Sequence, residues 1–230
     1  MEAIKIDILN LRVERQKYNN NLVYNELKNG ILNEKYINIK EFQRVINELD
    51  ISKTDLLDKC KNDNIFAKLL SIQISINASR QGNKDELLQL NTINTISSKC
   101  GININSLQKY RPTKDGKIIS ETEYKKNKIS KLNCLKTFDA KITGKINGWI
   151  FAKVVIGNGG HQDNVFEEAI IFCNWVIKYK EENNYYFVLI DTDLTNKYNE
   201  LKKKYNNTTP FLIICNHITI QQYFIDNYYE

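Results

Sequence analysis

From Leu135 onward the chain alternates short apolar runs with longer amphipathic segments, and this alternation limits the folds open to it. Leu135 to Ile142 and Trp149 to Ile156 read as two strands, with Gly144 and Gly148 supplying the turn between them. Asn158-Gly159-Gly160 ends the second strand. Val165 to Tyr179 places apolar residues at 165, 166, 169, 170, 172, 173, 176 and 177, the period of a helix. Tyr186 to Ile190 reads as a short buried strand and Thr195 to Tyr205 as a helix. Phe211 to Cys215 is another buried strand, and Ile218 to Tyr229 a closing helix. The order β, β, α, β, α, β, α predicts a mixed β-sheet flanked by helices, an α/β (α+β) class.

Upstream, residues 1 to about 110 read mainly as helices. Phe42, Val45, Ile46 and Leu49 keep the helical spacing, and Ser52 with Asp55 before Leu56-Leu57 resembles a capping box. Ile65 to Ile76 is a further apolar-rich segment. The expected organisation is a helical N-terminal region over 1–110 and a sheet-bearing core over 111–230, packed as one compact unit.

No apolar run approaches the roughly 20 residues that span a bilayer. The N-terminus has no basic region followed by an apolar stretch, so the expected location is cytoplasmic, with no membrane partner. The five cysteines at 60, 100, 134, 173 and 215 contain no Cys-x-x-Cys pair, which points to reduced, mostly buried thiols rather than a zinc ribbon. The net charge of +6 is unevenly spread. Between Gln108 and Lys145, ten Lys and one Arg face four acids, a surplus of 7, while the rest of the chain carries −1. A surplus gathered in one stretch suggests a polyanion partner, with Arg111, Lys109, Lys114 and Lys117 tracking phosphates. The competing reading is a solvated, lysine-rich surface.

A turn centred near Ile146 sets Asp139 directly opposite Lys153, with Cβ atoms roughly 4.5–5.5 Å apart. After Lys153 comes Gly157-Asn158-Gly159-Gly160-His161-Gln162-Asp163-Asn164, a glycine-rich strand-to-helix turn of the kind that brings backbone close to a phosphate. Asp163 or Asn164 is suited to cap the helix, and Glu167 and Glu168 follow in its first turn. Gln162 and Asn164 have the side-chain chemistry that pairs with adenine in the major groove. An Asp, a Lys and a further acid beside a sheet suit phosphodiester hydrolysis. Carboxylates hold Mg²⁺ through hard oxygens, the ion activates water, and the ammonium positions that water or stabilises charge at phosphorus.

At this point the residues resemble the PD-(D/E)xK nuclease superfamily, and within it the Type II restriction endonucleases. The stretch from Lys153 to Glu168 resembles the segment after the catalytic lysine in several such enzymes. Ser79-Arg80-Gln81-Gly82 followed by Lys84-Asp85-Glu86 resembles a segment N-terminal to their core. The likeness covers roughly residues 75 to 230 and departs from the family pattern in two places. Phe138 precedes Asp139 where Pro is usual, and Phe151 stands where the acid two residues before the lysine belongs. The resemblance implies that this acid has moved to the following helix, Glu167 ranking first and Glu168 second. Asp139 and that acid would bind metal, with Glu86 as a further ligand. Arg80, Gln81, Lys84 and His161 would contact DNA, His161 also having the chemistry of a general base. A rival register uses Asp139-Ala140-Lys141 as the D-x-K string with Asp115 as the earlier acid. Asp191 and Asp193, at the end of a strand, read as caps of the helix from Thr195. What the resemblance implies is a homodimer that cleaves duplex DNA at a short palindromic site with Mg²⁺. It leaves 5′-phosphate and 3′-hydroxyl ends, beside a cognate DNA methyltransferase encoded nearby. The alternatives are a repair or structure-specific nuclease of the same superfamily, a non-catalytic DNA-binding protein and, more weakly, an RNA-processing protein.

Overall fold

The computed structural model describes residues 2–78, 81–106, 110–156 and 162–229. Its helices are α1 (Glu2–Lys28), α2 (Glu34–Ile37), α3 (Lys40–Leu49), α4 (Lys53–Asn62), α5 (Asn64–Ile74), α6 (Gly82–Ser97), α7 (Glu121–Lys126), α8 (Gln162–Tyr179), α9 (Thr195–Tyr205) and α10 (His217–Tyr228). Its strands are β1 (Ile102–Ser106), β2 (Tyr110–Pro112), β3 (Ile118–Ser120), β4 (Ala140–Gly144), β5 (Asn147–Val155), β6 (Asn184–Thr192) and β7 (Leu212–Cys215). Among the described residues no helix is long and apolar enough to cross a membrane.

The chain divides into two compact units, Ile6–Gln81 and a second made of Met1–Lys5 with Gly82–Glu230. The boundary therefore falls before α6, not near residue 110. The reason is packing: Leu90 and Ile93 of α6 are buried with Ile102 and Ile104 of β1 and Ala140 and Ile142 of β4. The helical unit has its own core of Val23, Leu27, Phe42, Leu56, Leu70 and Ile74, among others. Within it Ser52 caps α4, its hydroxyl accepting the Asp55 N–H.

The sheet is mixed, in the order β1-β4-β5-β6-β7. The β1–β4 and β4–β5 pairs are antiparallel, and β5–β6 and β6–β7 are parallel. One face packs on α8 and α9 through Trp149, Phe151, Phe172, Val188 and Leu201. The other packs on α6 and α10 through Ile150, Ala152, Phe187, Leu189 and Phe224. A central strand covered on both faces reads as a near-continuous apolar run, as β6 does.

Three local expectations are corrected. The β4–β5 hairpin pairs Ala140 with Ile150 and Ile142 with Gly148, so its centre is Lys145 and not Ile146. The register is shifted by two residues from the expected one, which keeps every side chain on its expected face. The first strand also begins at Ala140 rather than Leu135, because 135–138 turns away from the sheet: Leu135 and Phe138 donate their N–H groups to Pro112 and Tyr110. Helix α8 begins at Gln162, so Asp163 and Asn164 lie inside its first turn rather than capping it. All five cysteines are free thiols, and burial pushes Cys60 up to about 11 and Cys173 to about 12.

Candidate active site

The early end of β4 creates the site. If the strand continued backwards from Ala140, the β4–β5 register would place it beside the last residues of β5. The chain is irregular there, so the Ala152 N–H meets no strand. The Asp139 side chain takes that place, its Oδ2 accepting the Ala152 N–H at 2.8 Å, while the Asp139 N–H donates to the Ile150 carbonyl at 2.8 Å. One residue along β5, the Lys153 ammonium lies 3.6 Å from the same Oδ2. It lies 2.7 Å from Glu86 Oε1, on the first turns of α6. Asp139 and Lys153 thus converge diagonally rather than as a directly opposed pair.

All three side chains are four-fifths buried or more. Burial is the main cause that pushes the Asp139 carboxyl up to about 6, and Glu86 adds to it; Lys153 and the Ala152 N–H pull the other way. For Lys153, burial alone would lower its affinity for a proton. The carboxylates of Asp139, Glu86 and Glu168 outweigh burial and hold the ammonium above its usual range. Glu168, partly exposed on α8, belongs to this field and also pairs with Lys136 at 3.3 Å. Glu167 points elsewhere. It lines a groove of about 520 Å³ between α8 and α9 with Ile170, Lys197, Glu200 and Lys204.

Lys141 of the rival D-x-K string lies over the Trp149 ring, 5.3 Å from its centroid, and Asp115 pairs with Lys117 on the surface at 3.4 Å. Neither is brought to Lys153. Arg111 is drawn inward: it pairs with Glu121 and stacks 4.0 Å over Tyr124. Lys114 and Lys117 are exposed at the rim of a hollow of about 740 Å³ that Asp115 and Glu123 also line. Lys84 and Asn164 are exposed. Gln81 is turned into the helical unit, where its Oε1 accepts from Asn19 at 3.4 Å. Arg80, Lys109 and His161 lie outside the described residues, as does the side chain of Gln162.

The reading of Asp191 as a cap of α9 is corrected: Leu194 holds the N-cap position with no side-chain cap bond. Asp191 is instead buried, 2% exposed, at the end of β6. Its Oδ1 meets His217 Nδ1 at 2.7 Å and accepts the His217 N–H at 3.3 Å, and its Oδ2 accepts from Gln89 Nε2 at 2.6 Å. Gln89 Nε2 also reaches the Lys153 carbonyl at 3.4 Å. Helix α6 therefore grips Lys153 at both ends, Glu86 at the ammonium and Gln89 at the backbone. Sequence reasoning missed this cluster; the sole signal for it was a pair of acids at a strand's C-terminal end.

Among the described residues no three His, Cys, Asp or Glu side chains converge closely enough to hold a metal ion as they stand. Two carboxylates do share one cation here, and Mg²⁺ is commonly held by one or two carboxylates with water completing its shell. The donor chemistry of Asp139 and Glu86, all hard oxygen around a resident positive charge, fits such an ion.

No protein-family model, no curated protein and no solved structure matches this chain.

Proposed function

We propose that this protein is a Mg²⁺-dependent endonuclease of duplex DNA, of the PD-(D/E)xK kind and specifically a Type II restriction endonuclease. The observation that carries the reading is the Lys153 ammonium held between Asp139 and Glu86 where β4 stops short. Asp139 and Glu86 would hold the metal, with Glu168 near enough to contribute charge. The ion, when bound, supplies an activated water and neutralises charge on the phosphate. Lys153 orients the attacking water and stabilises the charge that grows on the phosphoryl oxygens. Burial of the site keeps both interactions strong. The exposed Lys114 and Lys117 and the basic stretch around them would steer the DNA backbone. Products would carry 5′-phosphate and 3′-hydroxyl ends. A short palindromic site suits a homodimer, and a cognate methyltransferase encoded nearby would protect the host DNA.

The test is digestion of a long duplex DNA by purified protein in Mg²⁺, beside Lys153→Ala and EDTA controls. Discrete bands that vanish in both controls support the proposal, and sequencing their ends gives the site. A second reading, a DNA-binding protein without catalysis, draws on the absence of a three-ligand cluster among the described residues. Intact DNA across metals and salts, with a salt-sensitive gel shift, would establish it in place of the enzyme.

A further inference from the structure

The ion pair at the centre of the site sets a condition on anything positive that enters it. Lys153 Nζ meets Glu86 Oε1 at 2.7 Å, the length of a charge-assisted hydrogen bond, with only 17% of the lysine side chain exposed. The same nitrogen lies 3.6 Å from Asp139 Oδ2. The two acids come from separate places, α6 and the residue before β4, and this one ammonium balances both. A divalent ion drawn to the site needs those same oxygens, at about 2.0–2.1 Å for Mg²⁺. An ammonium at hydrogen-bond distance from Glu86 and a divalent ion on the same oxygen repel each other strongly in a buried setting.

We infer that Lys153 is the resident cation of this site, and that a divalent ion enters by displacing its ammonium from Glu86. Loading the ion and freeing the lysine are then one event. This rests on the proposed metal-dependent reading only for the class of ion that enters. The freed ammonium becomes available to a phosphate-bearing ligand only once the ion is in place, so an unloaded site presents no unpaired positive charge to DNA. The exchange also accounts for why, among the described residues, the carboxylates close around a lysine and form no three-ligand group.

The test measures binding of Mn²⁺ alone to the full chain by calorimetry, without DNA. Lys153→Met removes the competitor and is expected to bind Mn²⁺ about tenfold tighter or more. Lys153→Arg keeps the charge and is expected to stay near the parent, while Glu86→Gln binds more weakly. A Lys153→Met protein that binds no tighter than the parent overturns the inference. Should that variant fail to fold, the parent protein with ¹⁵N-labelled lysine serves instead. The Lys153 Nζ resonance is expected to move when Ca²⁺ saturates the site, and a resonance that stays fixed overturns the inference. Tighter Mn²⁺ binding by Lys153→Met beside a parent that leaves DNA intact sinks the nuclease reading and keeps the exchange. Cleavage by the parent with no gain in Lys153→Met does the reverse.

Discussion

At the scale of single residues, Asp139 has two tasks that separate by substitution. Its carboxylate completes the hydrogen bonding of β5 and faces Lys153. Asp139→Asn keeps an acceptor for the Ala152 N–H, whereas Asp139→Leu leaves that buried donor unmet at about 1–3 kcal/mol. Chemical denaturation should therefore rank the leucine variant below the asparagine one, with the proposed cleavage lost in both. The carboxyl also titrates in a testable window. Its folded value, about 6, is above the ordinary 3.8, so the folded state holds the proton more tightly. Stability from this group is full below about 4 and is lost as pH rises through about 6. The melting temperature of Asp139→Asn minus that of the parent should climb across this window and level off above it. A flat difference would mean the carboxyl titrates normally. Asp139, Lys153 and Glu86 were singled out in the sequence by their likeness to a nuclease pattern, and their side chains do come together. The Gln89–Asp191–His217 cluster was not, since its bonds join residues 102 and 26 positions apart and no local spacing encodes them.

At the scale of elements, the sequence located each strand and helix after residue 135 but not their phase. The hairpin centre moved by one residue, which slid the pairing by two and changed the Asp139–Lys153 contact from opposed to diagonal. On a helix, one residue is a turn of about 100°, enough to separate Glu168, in the field of Lys153, from Glu167 in the α8–α9 groove. Glu168→Gln is therefore expected to weaken the proposed cleavage and metal binding by about tenfold or more, the usual scale for a group that supports a metal site. Glu167→Gln should leave both nearly unchanged, and a larger loss from Glu167→Gln would reverse the assignment. The strand junction makes its own prediction. A Cβ on Gly148 would meet the Tyr185 carbonyl oxygen at 2.2 Å, and backbone on a paired strand has little room to retreat. Gly148→Ala should cost about 1–3 kcal/mol in a urea titration, and an unchanged midpoint would show that the β5–β6 pair yields.

At the scale of the molecule, the helical period marked α3, a capping signal α4 and apolar richness α5, but the sequence did not locate α1 or say which core each helix would join. Helix α6 went with the sheet because its apolar side chains match the β1–β4 face. The helical unit carries a feature the sequence showed only as apolar richness. Ile65, Leu69, Ile72 and Ile76, on α5 and just past its end, are 74%, 62%, 52% and 42% exposed. Ile65, Leu69 and Ile72 are spaced four and three along α5, the pattern of a seam that one helix offers another, and Ile76 lies beyond the end of the helix. If the proposed homodimer forms through this face, each α5 would meet its own copy across the twofold axis. Leu69→Lys should convert a dimer to a monomer in sedimentation while leaving the circular dichroism unchanged. A parent protein that sediments as a monomer would remove the dimer from the proposal.

The short β4 has one more consequence. The oxygen that would receive an incoming ion already holds the proton of a single backbone amide, Ala152. That amide is a built-in reporter. Its chemical shift and its rate of exchange with heavy water register whatever meets the Asp139 carboxylate, with no substrate added. A spectrum of the resting protein can therefore be read as an occupancy gauge at one named peak.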